Sequence, residues 1–265
     1  MKSKIFLVFA TIVMLASCKQ NAVLNETQSP ENTTTSTKTA SFLLSYYSFI
    51  NQRTDVSVGL KGFITTSSQN QEGRPFTAYA DARKASDKLQ EVTIGEANFI
   101  QDPLNINSLR NTTTQQVKPL YGTNALFTLK DFEGVTYTKA LYIPKIINVN
   151  PVGDKITNID TKAGTNITWN KDTQNTKGVI FVLRYVPTLN PSISGAFPQP
   201  VTKYFACEDT GNYILTAEDV QGLPMNANVD ITIGRGGYEV FQPEGTNRTY
   251  SLYGYTFVGL SGIIK

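Results

Sequence analysis

From about residue 41 onward, apolar and polar side chains alternate at every second position, in short runs separated by Gly, Pro and Asn. A period of two predicts half-buried strands, where a period of 3.6 would predict helices. Val56, Val58 and Leu60 alternate with Ser57 and Gly59; Val92 and Ile94 flank Thr93; Ala125, Phe127 and Leu129 share one side. Farther on, Ile167 and Trp169 have the same parity, and Val229, Ile231 and Ile233 alternate with Asp230 and Thr232. The run from Val179 to Tyr185 is apolar on both parities, as a central strand covered on both faces would be. Many short strands with turn residues between them predict an all-β chain built from antiparallel β-sandwiches.

One brief helical piece is predicted. Thr216 offers a capping hydroxyl with Asp219 three residues on, and Gly222 with Pro224 ends the segment after about one turn. Arg83 to Gln90 is polar and reads equally as a turn of helix or a hairpin loop. A body of about 225 residues is large for one sandwich of about 100. Two tandem domains are therefore expected, at 41–150 and 151–265, joined through Ile147 to Asp154 where a strand gives way to Pro151, Gly153 and polar residues. From about residue 152, the Trp-bearing stretch KAGTNITWN, the long apolar strand after it and VDITIGRGGY resemble the immunoglobulin or fibronectin type III group. That resemblance implies the sandwich architecture alone, because the paired cysteines of antibody domains are missing.

The amino-terminal residues follow a different rule. Lys2 and Lys4 precede an apolar run from Ile5 to Ala16, too short to span about 30 Å of hydrocarbon as a helix, so residues 1–17 read as a secretory signal. The run closes on Leu15-Ala16-Ser17-Cys18, which resembles the lipobox of bacterial lipoproteins. The resemblance implies cleavage after Ser17, a diacylglycerol on the Cys18 thiol and an acylated amino terminus, hence stable attachment to a membrane through lipid. Residues 18–40, polar and rich in Thr and Asn, read as a disordered tether with a root-mean-square reach of roughly 25 Å. The layout is similar to the envelope lipoproteins of bacteria of the Bacteroides and Flavobacterium kind. Lys19 and Gln20 after the acylated position favour the outer membrane, on its periplasmic or outward side. With Cys18 carrying lipid, Cys207 has no disulfide partner and is expected as a small buried group in a strand.

Composition narrows the chemistry. The chain of 265 residues has no His, which removes Ser-His and Cys-His nucleophile pairs, imidazole acid-base catalysis and imidazole metal sites. Its 24 Lys and Arg against 21 Asp and Glu form no basic stripe, so nucleic acid is not an expected partner. Trp169, with Ile167 on its side, is expected in the core rather than on a sugar-stacking surface. Tyr253, Tyr255 and Phe257 share one parity and form either the buried face of their strand, the preferred reading, or an exposed stacking surface; Tyr46 and Tyr47 have opposite parity, which puts them on opposite faces. The acids Asp154, Asp160, Asp172, Glu208, Asp209, Glu218 and Asp219 read as solvated charge, without calcium-loop spacing and without a measurable glycosidase separation. Gly234-Arg235-Gly236-Gly237 lacks the spacing of a phosphate loop and reads as a strand-ending turn in which glycine supplies positive φ.

The functional expectation is a non-catalytic binding or adhesion module, attached to the membrane through Cys18 and engaging a glycan or another protein by end loops or a sheet face. An accessory subunit of an outer-membrane complex is the alternative, and a carboxylate-dependent hydrolase the remote one. No cofactor or metal is expected, no catalytic residue is indicated, and no residue is marked in advance as a ligand contact.

Overall fold

The computed structural model describes residues 54–64, 76–83, 88–150 and 157–265; Cys18, the signal, the tether, Tyr46, Tyr47 and Asp154 lie outside the described residues. Within the described residues the chain is all-β, with sixteen strands and a single α-helix of four residues, α1 (Thr114–Val117). The largest sheet has the spatial order β13 (Val201–Cys207), β12 (Val179–Tyr185), β15 (Asn228–Phe241), β16 (Tyr250–Ile264), β1 (Val56–Ile64), β2 (Phe76–Arg83), β6 (Asn105–Asn111), β5 (Ile100–Asp102). A ninth strand, β10 (Thr157–Ile159), pairs with the last residues of β16. Two smaller sheets complete the sandwiches. One is β4 (Ala97–Asn98), β3 (Leu89–Ile94), β7 (Thr123–Asp131) and β8 (Thr136–Ile143); the other is β14 (Asn212–Leu215), β11 (Thr165–Trp169) and β9 (Val149–Asn150).

The small sheets cover two hydrophobic cores on one side of the large sheet. The first holds Val56, Val58, Leu60, Val92, Phe127 and Leu129 together with Tyr250 and Leu252. The second holds Trp169, Phe181, Leu183, Ile231, Ile233 and Val258. Strand β16 therefore serves both cores, and its 15 residues span about 50 Å at the usual strand rise. Between the two, Gly254 faces Ile143 of β8, where a β-carbon would collide with the isoleucine side chain. The missing side chain lets β8 lie close against the large sheet.

The sheets are not wholly antiparallel. β1 runs parallel to β16, from Val56 opposite Tyr250 to Ile64 opposite Val258, and β10 is also parallel to β16. These partners are remote in sequence, so no tight hairpin forces the opposite direction. The segment at Thr216 is a turn, not a helix. Asp219 accepts from the Thr216 backbone N–H at 2.7 Å and its hydroxyl at 3.0 Å, a capping contact that Gly222 and Pro224 cut short. Residues 84–87 of the polar stretch from Arg83 to Gln90 lie outside the described residues; the strands on either side of it, β2 and β3, belong to different sheets.

Candidate binding surface

The aromatic stripe of β16 lies opposite to the expectation. Leu252, Gly254, Thr256 and Val258 are the buried parity that faces the small sheets, whereas Tyr253, Tyr255 and Phe257 project from the other side of the large sheet. The reason is steric: glycine and threonine at 254 and 256 mark the place of closest approach between sheets, and three rings there would hold the layers apart. On the outer side the rings form a continuous row. Tyr253 and Tyr255 have centroids 5.9 Å apart, Tyr255 and Phe257 6.1 Å, and Phe257 meets Phe63 of β1 at 5.8 Å, all within 28° of parallel. Tyr253 is buried, its ring lying across Gly59 of β1 where a β-carbon would collide with it. Tyr255, Phe257 and Phe63 are half-buried.

Beside this row runs a trough two strands wide. Strand register places Ile180, Gly234 and Phe257 in one line across the sheet, and Tyr204, Val182, Thr232 and Gly259 in the next. The floor is thus Ile180, Val182, Thr232 and Gly234. Tyr255 and Phe257, with Arg235 and Thr256, line it toward β16; Tyr204, 43% exposed on β13, is the cross-strand neighbour of Val182. Glycines 234 and 236 belong to β15 and have no positive φ, so the expected strand-ending turn is a correction: the glycines lie mid-strand. Their role is room. A β-carbon on Gly234 would come 3.1 Å from Phe257 Cβ, and one on Gly236 2.8 Å from Tyr255 Cβ.

One charged cluster near the trough is internally paired. Lys61 Nζ donates to Asp81 Oδ2 at 2.6 Å, Arg83 Nε reaches the same oxygen at 3.0 Å, and the Tyr253 hydroxyl donates to Asp81 Oδ1. Burial pulls the Lys61 ammonium below its ordinary pKa against the opposing pull of Asp81, and burial followed by Asp81 holds the Tyr253 phenol well above its own. At one end of the trough Arg184 and Asp230 are cross-strand neighbours of opposite sign.

Among the described residues, the acids singled out in the sequence are not gathered into a cleft. Asp172 and Asp209 are buried and saturated with donors, which corrects the expectation of solvated charge for both. Asp172 accepts from the Tyr142 hydroxyl and from the backbone N–H groups of Lys145 and Gln174. Burial pushes its carboxyl upward, but these bonds outweigh it and hold it below the usual carboxylate range. Asp209 accepts from Trp169 Nε1 at 2.8 Å, Asn175 Nδ2 at 2.9 Å and Arg235 at 2.8 Å. Asp160 caps a turn through the N–H groups of Lys162 and Ala163, and Glu208 and Glu218 are exposed. Among the described residues, no three acidic or cysteine side chains converge as a metal site.

Cys207 lies at the end of β13 beside the second core, and burial, helped by Asp209, Asp219 and Glu208, pushes its thiol up to about 12. A thiol raised by about three pH units holds about a thousandfold less thiolate near pH 8 than an ordinary one. Iodoacetamide should therefore label the folded protein at least about a hundredfold more slowly than the urea-unfolded chain. Equal rates, read by mass spectrometry, would show an accessible reactive thiol.

The remaining prominent feature is the connection from β12 to β13. Residues 186–200 contain no charged side chain, yet the segment is pinned: Asn190 Nδ2 donates to the carbonyls of Val186 and Asn228, and the Tyr185 hydroxyl to that of Phe197. Leu189 and Phe197 are 54% and 45% exposed on it. This tip adjoins the start of β15, at the opposite end of the long strands from Val56, where β1 begins beside Tyr250.

No family model matches the sequence, and no curated protein matches it. Among solved structures, the chain is similar to a tri-modular GH5 (subfamily 4) endo-beta-1,4-glucanase from Bacillus licheniformis, complexed with cellotetraose and in a second structure described without it. Identity is 12% in both, TM-scores are 0.29 and 0.27, and the match covers 79% of this chain but spans only 38% of the glucanase. A likeness this slight assigns neither fold nor activity.

Proposed function

We propose that the chain is a lipid-anchored cell-envelope protein, held at the outer membrane through Cys18, and that it works as a non-catalytic binding module whose ligand lies on the outer face of the large sheet. The trough floored by Ile180, Val182, Thr232 and Gly234 beside Tyr255 and Phe257 is the observation that carries this reading. A concave strip with an aromatic wall, a largely aliphatic floor and polar groups among its lining has the makeup of a ligand site. The buried acids favour binding over hydrolysis, because Asp172 and Asp209 are committed to holding loops together.

Anchoring and binding are tested separately. Cys18→Ser should abolish acyl labelling and release the chain from membranes; retention without label contradicts the anchor. For the trough, the Val182→Trp variant should lose retention on immobilised envelope extract while its melting temperature stays within a few degrees of the parent's. Unchanged retention contradicts the placement of the site. The uncharged tip at 186–200, with Leu189 and Phe197 exposed, favours a second reading as an accessory subunit docking on an envelope protein.

A further inference from the structure

We propose that the side chains of Lys61 and Asp81 join through an amide bond, a cross-link that ties β1 to β2 and forms in the folded chain without help from another protein. It is independent of what the trough binds.

The two reacting groups are already in place. β1 and β2 are antiparallel neighbours, with Lys61 opposite Tyr79 and Gly59 opposite Asp81, so the two side chains are diagonal neighbours on the outer side of the large sheet. Lys61 Nζ lies 2.6 Å from Asp81 Oδ2. Holding an amine against a carboxyl in this way replaces a chance encounter in water by an effective concentration of about 10⁵ M or more in well-oriented pairs. Lys61 is 5% exposed and Asp81 9%, so bulk water that would reverse the bond has little access to it.

Other donors address the carboxyl at each oxygen. The Tyr253 hydroxyl donates to Oδ1, and Arg83 Nε donates to Oδ2 at 3.0 Å. Tyr253 is itself buried, its ring laid across Gly59, which fixes the phenol on the carboxyl. An ion pair needs one cation, yet Lys61 and Arg83 share one carboxylate. Lys61 can therefore lose its proton while a cation stays beside Asp81. Burial, opposed by Asp81 and assisted by Arg83, lowers the Lys61 pKa toward the neutral amine that such a step requires.

The step balances within the chain. The Lys61 ammonium passes a proton to Asp81 Oδ2, leaving a neutral amine beside a neutral acid. The nitrogen lone pair attacks Cγ, and the electron pair displaced from the C=O bond goes to Oδ1, where the Tyr253 hydroxyl meets the new charge. A second proton moves from nitrogen to Oδ2, the Cγ–Oδ2 bond breaks, and water departs as Oδ1 becomes a carbonyl again. Arg83 Nε donates to the departing oxygen. Nothing is oxidised or reduced, and no co-reactant is consumed. The amide also removes two buried ions, whose desolvation works against the ion pair it replaces.

The experiment is the intact mass of the mature Cys18→Ser chain, purified in its folded state and denatured only for mass spectrometry. The chain should be lighter than its sequence by one water molecule, and a digest should contain a branched peptide joining residue 61 to residue 81. Lys61→Arg, which keeps a cation beside Asp81, should carry the full sequence mass. Tyr253→Phe keeps the ring on Gly59 and should lose water at least about tenfold more slowly after refolding from urea. Full sequence mass in the folded parent would overturn the proposal. So would a water loss that persists in Lys61→Arg, because a succinimide elsewhere in the chain sheds the same molecule. A loss that proceeds as fast in the chain held in urea would overturn it too, since the bond depends on the folded geometry, and an unchanged rate in folded Tyr253→Phe would overturn the step as written.

Discussion

Replacing Arg235 by Met should lower the unfolding free energy by about 3–5 kcal/mol, read as a drop in denaturation midpoint at constant m-value. The guanidinium is fully buried and uses its donors on four acceptors: the carbonyls of Lys145 at 2.7 Å, Ile146 at 3.1 Å and Asn170 at 2.9 Å, and Asp209 at 2.8 Å. It thereby fastens the strip between β8 and β9, and the residue following β11, to the middle of β15. Methionine fills most of the volume but leaves the Asp209 carboxylate, 2% exposed, without its cation and leaves three carbonyls short of a donor. The cost comes from the stranded partner, so Arg235→Met combined with Asp209→Leu should be less destabilised than the two single changes added together. A single-variant loss below about 1 kcal/mol would show that this network does not hold the sandwich together.

Trp169→Ala should cost a similar amount, about 3–5 kcal/mol, for a different reason. The indole is 5% exposed, meets Phe181 edge-on at 5.8 Å, and fills the space between the three-stranded sheet and the large one. Its removal opens a cavity lined by groups that the surrounding strands hold in place. Trp169→Phe separates packing from polarity, since it keeps most of the ring but loses the bond from Nε1 to Asp209, a loss of about 1.5–3 kcal/mol. Both variants should bind ligand normally below their melting transitions, because the ring lies on the core side of the molecule. Loss of binding by folded Trp169→Phe would mean that the second core shapes the outer face.

The all-β character was legible because period-two alternation is local. Val229, Ile231 and Ile233 do face the core, and Ile167 and Trp169 do share its side; the run at Val179 lies between two neighbouring strands, but half-buried Val182 and exposed Arg184 show that its outer face is not covered as a fully buried strand's would be. The aromatic stripe was misread because both parities of β16 are hydrophobic. What decides between them is the approach of Ile143 to Gly254, a contact between residues more than a hundred positions apart. The glycines near Arg235 were misread for a related reason: the same residue type serves turns and close-packed strands, and only the neighbouring strand tells which. Asp209 and Arg235 carry no local mark of their pairing. The service of one strand, β16, to both cores is likewise a matter of register, which alternation alone does not contain.

The binding-surface account is tested most directly by hydroxyl-radical footprinting of the mature chain, alone and with envelope extract bound, read residue by residue in a mass spectrometer. Protection should concentrate at Tyr204, Tyr255 and Phe257, with Leu189 and Phe197 unchanged. Protection confined to the 186–200 tip, with the three trough aromatics labelled as strongly as in the free protein, would contradict it.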